Sequence, residues 1–154
     1  MGQEIERKFL VNSDEFKQLA KGIHYRQGYM SRTEKGVVRV RIAGDKGFLT
    51  IKGKKSGISR LEYEYEIPVE DAAEMLDRLC MKPDIEKYRY HIDFEGFTWE
   101  VDEFLGANAG LVVAEIELPE EDTPFTKPDW IGAEVSHDAR YFNSNLIKHP
   151  YSEW

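Results

Sequence analysis

The chain has 154 residues, of which 41% are hydrophobic and 32% charged, and its formal net charge is -8. These values are typical of a single folded domain spanning 1–154 and exclude a disordered chain. The negative charge disfavours a binder of duplex nucleic acid, whose affinity comes largely from neutralising phosphates, but leaves a small polyphosphate open as a ligand.

Eight strands are predicted from runs in which apolar and polar residues alternate. In chain order they lie near residues 3–11, 25–32, 36–43, 47–54, 59–68, 86–94, 97–104 and 111–118. Short connections that contain glycine, such as Glu95-Gly96, favour antiparallel neighbours because parallel strands need long crossovers. We therefore expect a mainly-β protein of the α+β class.

Three amphipathic helices are predicted between or after these strands. The first follows Ser13, a suitable N-cap residue, and the second covers 69–81, where apolar residues recur at helical spacing. The third is expected near 138–148. Between the last strand and the third helix, 119–130 contains three prolines and is predicted to be irregular.

Charged residues carry the strand periodicity, and they are sorted by sign. The strands with Arg39 and Arg41, and with Lys87 and Arg89, present only cations on one face, whereas others present only the carboxylates of Glu62, Glu64 and Glu66, or of Glu115 and Glu117. A solvated face would mix the two signs. The pattern favours an enclosed or concave charged face, with helices over the apolar outside, above the alternative of a sheet whose charged face meets solvent.

The sharpest local motif is Glu4-Ile5-Glu6-Arg7-Lys8. Carboxylates at i and i+2 of a strand lie about 7 Å apart on one face, a spacing that suits a divalent cation. Magnesium usually takes one or two carboxylates together with waters and phosphate oxygens. For this pentapeptide alone, an ordinary polar strand face explains the pattern equally well.

Six motifs in chain order resemble the signature of the CYTH superfamily, also called triphosphate tunnel metalloenzymes. They are ExExK at 4–8, RxR at 39–41, TIKG at 50–53, RxExE at 60–64, KxR at 87–89 and ExE at 115–117. Asp102 precedes the last motif, and 134–136 and 140–143 resemble the C-terminal elements of the family, with Ser136 where threonine is more usual. The resemblance covers nearly the whole chain.

The resemblance implies an eight-stranded antiparallel closed barrel with a charged tunnel that binds a triphosphate and needs Mg2+ or Mn2+. Residues that would hold phosphate oxygens are Lys8, Arg39, Arg41, Lys52, Lys87 and Arg89. Residues that would hold metal ions or order the attacking water are Glu4, Glu6, Glu62, Glu64, Asp102, Glu115 and Glu117.

The predicted function is hydrolysis of a linear triphosphate, most simply inorganic tripolyphosphate, to pyrophosphate and phosphate. The groups expected to carry the chemistry are Lys87, Arg89, Glu4 and Arg41, since phosphoryl transfer asks a protein mainly for positioning and charge stabilisation. Within the family, adenylate cyclase and thiamine or nucleoside triphosphatase activities stay open. From another class, so does a polyphosphate-binding protein without catalysis.

Location and assembly are predicted more coarsely. No apolar run approaches the roughly 18 residues of a transmembrane helix, the N-terminal residues do not form a signal peptide, and Cys80 has no partner for an internal disulfide. We expect a cytoplasmic protein, without membrane association, that is a monomer or a homodimer.

Overall fold

A computed structural model describes residues 2–154 and contains nine strands in this range. The strands are β1 (Gln3–Val11), β2 (Ile23–Thr33), β3 (Gly36–Ala43), β4 (Lys46–Gly53), β5 (Ser59–Ile67), β6 (Ile85–Phe94), β7 (Phe97–Phe104), β8 (Val112–Glu117) and β9 (Ile131–Glu134). The first eight confirm the predicted strands. The short β9 is not predicted because its four residues, Ile-Gly-Ala-Glu, carry no alternation.

The helices are α1 (Phe16–Leu19), α2 (Val69–Arg78) and α3 (Asn143–Leu146). Only α2 comes near its predicted bounds: it begins at residue 69 as predicted and ends at Arg78, three residues before residue 81. The region of the third predicted helix contains a 3-10 turn, Ala139–Tyr141, then Phe142 in an extended conformation, and then the four residues of α3. No helix within residues 2–154 is long and apolar enough to cross a membrane.

Eight strands form a closed ring in which every neighbouring pair is antiparallel. The order is β5-β4-β3-β2-β6-β7-β8-β1, and β1 also pairs with β5. One edge of β1 pairs with β8 from Glu6 to Leu10. The other edge is divided between two strands: Gln3, Glu4 and Ile5 pair with β5, and Phe9 and Val11 pair with β9. The closed antiparallel arrangement of the predicted fold is confirmed.

Apolar side chains lie mainly outside the ring. Val40 of β3 packs under α2, where Ala72 and Leu76 are fully buried. On the opposite side, Phe9, Trp99 and Trp130 form a second cluster, against which Phe125 of the proline-containing segment packs. The apolar outside of the ring is thus covered partly by a helix and partly by an irregular segment.

One end of the ring is filled by apolar residues. Phe104 and Val113 are the cross-strand neighbours of Lys87 and Asp102, so they share the inner face with the charged residues. They pack with Tyr141, Leu146 and Ile147 of the C-terminal segment. This segment therefore closes one end of the charged interior and brings its own polar groups to that interior.

Candidate active site

The ring encloses a cavity of about 190 Å³ whose wall is mostly charged. Eight cations line it, namely Lys8, Arg39, Arg41, Lys52, Lys55, Arg60, Lys87 and Arg89, and so do seven carboxylates, Glu4, Glu6, Glu62, Glu64, Glu100, Glu115 and Glu117. Twelve of the thirteen predicted site residues are in this set. The charged residues that alternate along the strands therefore face an enclosed cavity.

Asp102 is the predicted site residue that does not line the cavity. Its carboxylate is 1% exposed and lies beneath two cavity cations. Oδ1 accepts a hydrogen bond from Arg89 Nε at 2.7 Å, and Oδ2 accepts from Arg89 Nη2 at 2.8 Å and Lys87 Nζ at 2.7 Å. Lys87 also donates to Asn143 Oδ1 at 3.1 Å. Both oxygens of Asp102 are thus occupied by side chains.

The buried charged groups around Asp102 shift one another's pKa values. Burial opposes ionisation of the carboxyl, but the charges of Arg89 and Lys87 prevail and lower the pKa of Asp102 to about 2. Burial lowers the pKa of Lys87 to about 7, against the attraction of Asp102. The bidentate contact gives Arg89 the larger share of this carboxylate, and Lys87 is held close to losing its proton.

The remaining cations of the cavity differ in whether a carboxylate oxygen lies close to them. Lys52 Nζ lies 3.1 Å from Glu4 Oε2 and 3.4 Å from Glu62 Oε2, and Arg39 Nη2 lies 3.5 Å from Glu64 Oε2. Four cations of the cavity have no carboxylate oxygen within 4.0 Å among the described residues: Lys8, Arg41, Lys55 and Arg60. These four are charges available for an anion.

Hydrogen bonds hold two of these free cations in place without neutralising them. Arg41 donates to Gln27 Oε1 from Nε at 3.0 Å and from Nη2 at 2.8 Å. Burial, with repulsion from Arg39 and Arg89, lowers the pKa of Arg41 to about 10. Lys8 Nζ donates to the carbonyl oxygen of Tyr141 at 3.0 Å.

The carboxylates are crowded on the other side of the cavity. Glu6 is the cross-strand neighbour of Glu117. Burial, then repulsion from Glu115 and Glu4, raises the pKa of Glu6 well above its usual value. Burial and the nearby carboxylates also raise the pKa of Glu117. Such crowding is relieved by a cation.

The donor set fits a hard divalent ion. Within 2–154, no three acidic, histidine or cysteine side chains stand in the arrangement of a complete ligand set. Mg2+ does not need one, because it usually takes one or two carboxylates and completes its shell with waters and phosphate oxygens. Glu4, Glu6, Glu115 and Glu117 offer such partial ligation.

The chain is similar to known proteins over nearly its whole length. A family model described as the CYTH domain matches residues 2–151. The chain belongs to the CYTH family. An inorganic triphosphatase of Acetivibrio thermocellus is 64% identical to it over 154 residues, which cover 100% of this chain and 99% of that protein. An inorganic triphosphatase of Nitrosomonas europaea is 38% identical over 147 residues, with 93% of this chain and 95% of that protein covered.

The CYTH fold is also seen in solved structures. The crystal structure of the inorganic triphosphatase NE1496 superposes on this chain with a TM-score of 0.66 and 35% identity, covering 93% of this chain and 96% of that one. Because the match covers nearly all of both chains, this chain corresponds to nearly the whole of that triphosphatase.

Three charged residues of the CYTH cavity have no predicted role. Arg60 and Glu100 were detectable, since each lies two residues from a predicted site residue, Glu62 or Asp102, on the same strand face. Lys55 lies in the β4–β5 connection, where no strand alternation indicates which way a side chain points. Its ammonium is 4.7 Å from the ring centre of Phe142 and donates to the Ser136 carbonyl at 3.4 Å.

Proposed function

We propose that this chain is a metal-dependent triphosphatase that hydrolyses inorganic tripolyphosphate to pyrophosphate and phosphate. One observation carries the proposal: a small enclosed cavity has eight cations and seven carboxylates in its wall, and four of those cations have no carboxylate partner in the described chain. A polyanion compensates the free cations, and a divalent ion compensates the crowded carboxylates.

The size and chemistry of the wall favour an inorganic substrate. Sites for organic ligands are mostly apolar and typically exceed about 300 Å³, whereas this cavity measures about 190 Å³ and is lined largely by charge. Its aromatic side chains are Tyr29 and Phe142. A nucleoside or thiamine group would have to lie outside this volume. The names of the two curated relatives support the same substrate.

The proposed roles follow from the contacts. The free cations Lys8 and Arg41, with Arg39 and Lys52, hold phosphate oxygens. Metal ligation falls to the crowded carboxylates, for which we propose Glu4, Glu6, Glu62, Glu64, Glu115 and Glu117. Bound Mg2+ or Mn2+ would supply charge neutralisation on the phosphates and a lowered pKa of water.

Lys87 and Arg89 are proposed to stabilise the charge that develops on the leaving pyrophosphate as water attacks the terminal phosphorus in line. We propose that Asp102 acts through them, as a positioning residue, and not as a metal ligand. Its two oxygens already accept three hydrogen bonds, and it is buried under the cations it would orient.

The proposal treats 1–154 as a single CYTH domain. The cytoplasmic location stays a prediction. Cys80 is free and buried, which is compatible with a reducing compartment.

The direct test is phosphate release from tripolyphosphate, ATP, GTP and thiamine triphosphate, each with Mg2+ or Mn2+, with pyrophosphate and cyclic AMP measured in the same samples. We expect tripolyphosphate to be the preferred substrate and release to stop with a chelator. Glu4→Gln, Glu117→Gln and Arg41→Ala should each lower turnover by about 10²- to 10³-fold. Glu74→Gln, an exposed change on α2, is the matched control.

Two outcomes would refute the proposal. Cyclic AMP as the main product from ATP would make the protein a cyclase. Tight binding of tripolyphosphate without phosphate release under either metal would make it a binding protein. Unchanged turnover in all three cavity variants would instead show that the site lies elsewhere.

A further inference from the structure

The inner face of β2 is unlike the inner faces of its two neighbours in the ring. β2 lies between β3, which carries the RxR motif at 39–41, and β6, which carries the KxR motif at 87–89. Cross-strand neighbours point to the same face, so the residues of β2 that pair with these cations also point inward. They are Tyr25, Gln27 and Tyr29. The two cationic strands are therefore separated by a strand that offers them no carboxylate.

Gln27 is fully buried and is the direct cross-strand neighbour of Arg41. Its Oε1 accepts two hydrogen bonds from this arginine, from Nε at 3.0 Å and from Nη2 at 2.8 Å. Only the oxygen of an amide can accept, so the two N–H groups determine which way the amide points. Gln27 thus holds the guanidinium of Arg41 in one orientation.

The nitrogen of the same amide connects Arg41 to the C-terminal segment. Nε2 of Gln27 lies 3.4 Å from Asn143 Oδ1 and 3.3 Å from the hydroxyl oxygen of Tyr29. The Asn143 oxygen also accepts a hydrogen bond from Lys87 Nζ at 3.1 Å. Gln27 and Asn143 together therefore link a cation of β3 to a cation of β6.

Arg41 differs from Arg89 in the charge of the group that holds it. Arg89 donates through the same two nitrogens, Nε and Nη2, but to the carboxylate of Asp102, which compensates its charge. Arg41 donates to an uncharged amide. Its guanidinium also lies 5.0 Å from the ring centre of Tyr25. Arg41 is therefore held in place by its neighbours and keeps its charge for an anion.

We propose that Gln27 is a positioning residue for tripolyphosphate hydrolysis, a role that rests on the function proposed above. Its acceptor oxygen directs Arg41 to the cavity, and its lack of charge leaves Arg41 free to bind phosphate oxygens. Gln27 is not part of the cavity wall, whereas Arg41 is, so Gln27 acts through Arg41. Donors that are oriented before the substrate arrives lose little in reorganisation when charge develops.

Two substitutions separate the two properties of the amide. Gln27→Met keeps the approximate length of the side chain and removes both hydrogen bonds to Arg41. Gln27→Glu keeps an acceptor and adds the charge that would neutralise Arg41. Gln18→Met and Gln18→Glu, at an exposed position of α1, are the matched controls. The measurements are kcat/KM for tripolyphosphate, its affinity by calorimetry without added metal, and the melting temperature.

Both Gln27 variants should lower kcat/KM and the metal-free affinity by about 10- to 100-fold, and the Gln18 variants should change neither. Gln27→Glu should melt no lower than the wild type, because it supplies a buried cation with a partner. A residue that only supports the fold would not lose activity and keep stability. Melting temperatures that fall with activity in both Gln27 variants would overturn the inference.

The double variant tests whether Gln27 acts through Arg41. Once Arg41→Ala has removed the guanidinium, adding Gln27→Met should change kcat/KM by less than about twofold, because the positioned group is gone. A further loss as large as that in the wild-type background would overturn the inference. So would a Gln27→Glu variant that binds tripolyphosphate as tightly as the wild type.

Failure of the proposed function gives a different result. In that case the wild type would bind tripolyphosphate without releasing phosphate, and the calorimetric comparison of the Gln27 and Gln18 variants would still test the positioning role, since it does not require hydrolysis. If the wild type does release phosphate and the Gln27 variants match it in both kcat/KM and affinity, the proposed function stands and the positioning role is refuted.

Discussion

Replacing Asp102 by asparagine tests whether this residue positions cations or binds metal. The change keeps the shape of the side chain and removes its charge. Lys87, which is 0% exposed, then loses the carboxylate it is paired with, whereas Arg89, which is 6% exposed, keeps Glu100 at 3.3 Å and Glu115 at 3.5 Å. Removing one partner of a buried ion pair typically costs about 3–5 kcal/mol because the remaining charge is uncompensated.

We expect the lower end of this range. Burial already holds the pKa of Lys87 near 7 with Asp102 ionised. Without the carboxylate the pKa falls further, so Lys87 loses its proton and part of the cost. A loss of about 3 kcal/mol lowers the melting temperature of a domain of this size by roughly 6–12 °C.

The difference between the wild type and Asp102→Asn should depend on pH in both directions. Asp102 has a pKa of about 2 in the folded state against 3.8 ordinarily, so its stabilisation is present above 3.8 and is lost as the pH falls through about 2. In the variant, neutral Lys87 releases its proton on folding, so stability rises with pH below neutrality while the wild type stays level. The gap should be widest at about pH 5.

Thermal unfolding between pH 2 and 8 measures this gap, and Mn2+ affinity by electron paramagnetic resonance separates the two roles. Asp102→Asn should bind Mn2+ as the wild type does, whereas Glu117→Gln should bind it more weakly. An equal loss of Mn2+ affinity in both variants would show that Asp102 is a metal ligand. An unchanged melting temperature would show that Asp102 does not neutralise these cations.

Three other outcomes are expected. Arg60→Ala should raise KM for tripolyphosphate by about tenfold with little change in kcat, because Arg60 offers a free charge for binding. Steady-state kinetics measure this, with Lys54→Ala as the control, and a loss confined to kcat would contradict it. Trp99→Ala should destabilise the fold by about 3–5 kcal/mol in urea unfolding, whereas Trp154→Ala, at a side chain 37% exposed, should cost far less. Glu134, whose pKa the hydrogen bonds from Arg7 lower to about 2, stabilises the fold above its ordinary 4.5, and this is lost as the pH falls through about 2. Glu134→Gln should therefore lower the melting temperature at pH 6 but not near pH 2, and an equal effect at both would refute the pairing.

The strands and the inward direction of their charges follow from the sequence because both depend on local alternation. A strand side chain has only two directions, so Arg39, Arg41, Lys87 and Arg89 can be assigned to one face before any neighbour is known. The same rule would have found Glu100 and Arg60. Alternation does not show how deeply a side chain is buried, so from the sequence Asp102 cannot be distinguished from the carboxylates of the cavity wall.

The C-terminal segment is harder to predict because long-range contacts decide its conformation. An apolar pattern over 138–148 indicates a continuous helix, yet Phe142 is extended, with φ -70° and ψ 129°. Its ring lies 4.7 Å from the ammonium of Lys55 and 5.9 Å from that of Lys8. Both lysines come from distant parts of the chain, so no local signal records this interruption of the helix.

β1 pairs with β8 on one edge and with β5 and β9 on the other, and this arrangement affects how the protein folds. β1 is near the start of the chain, but its neighbours β8 and β9 lie beyond residue 111. The pairing of Lys8 with Glu115 thus closes a loop of most of the chain, and such non-local contacts slow folding. Glu4, Glu6 and Lys8 meet their partners only when the ring closes. Partly folded chains would therefore hold no assembled site, and recovery of activity during refolding would report ring closure itself.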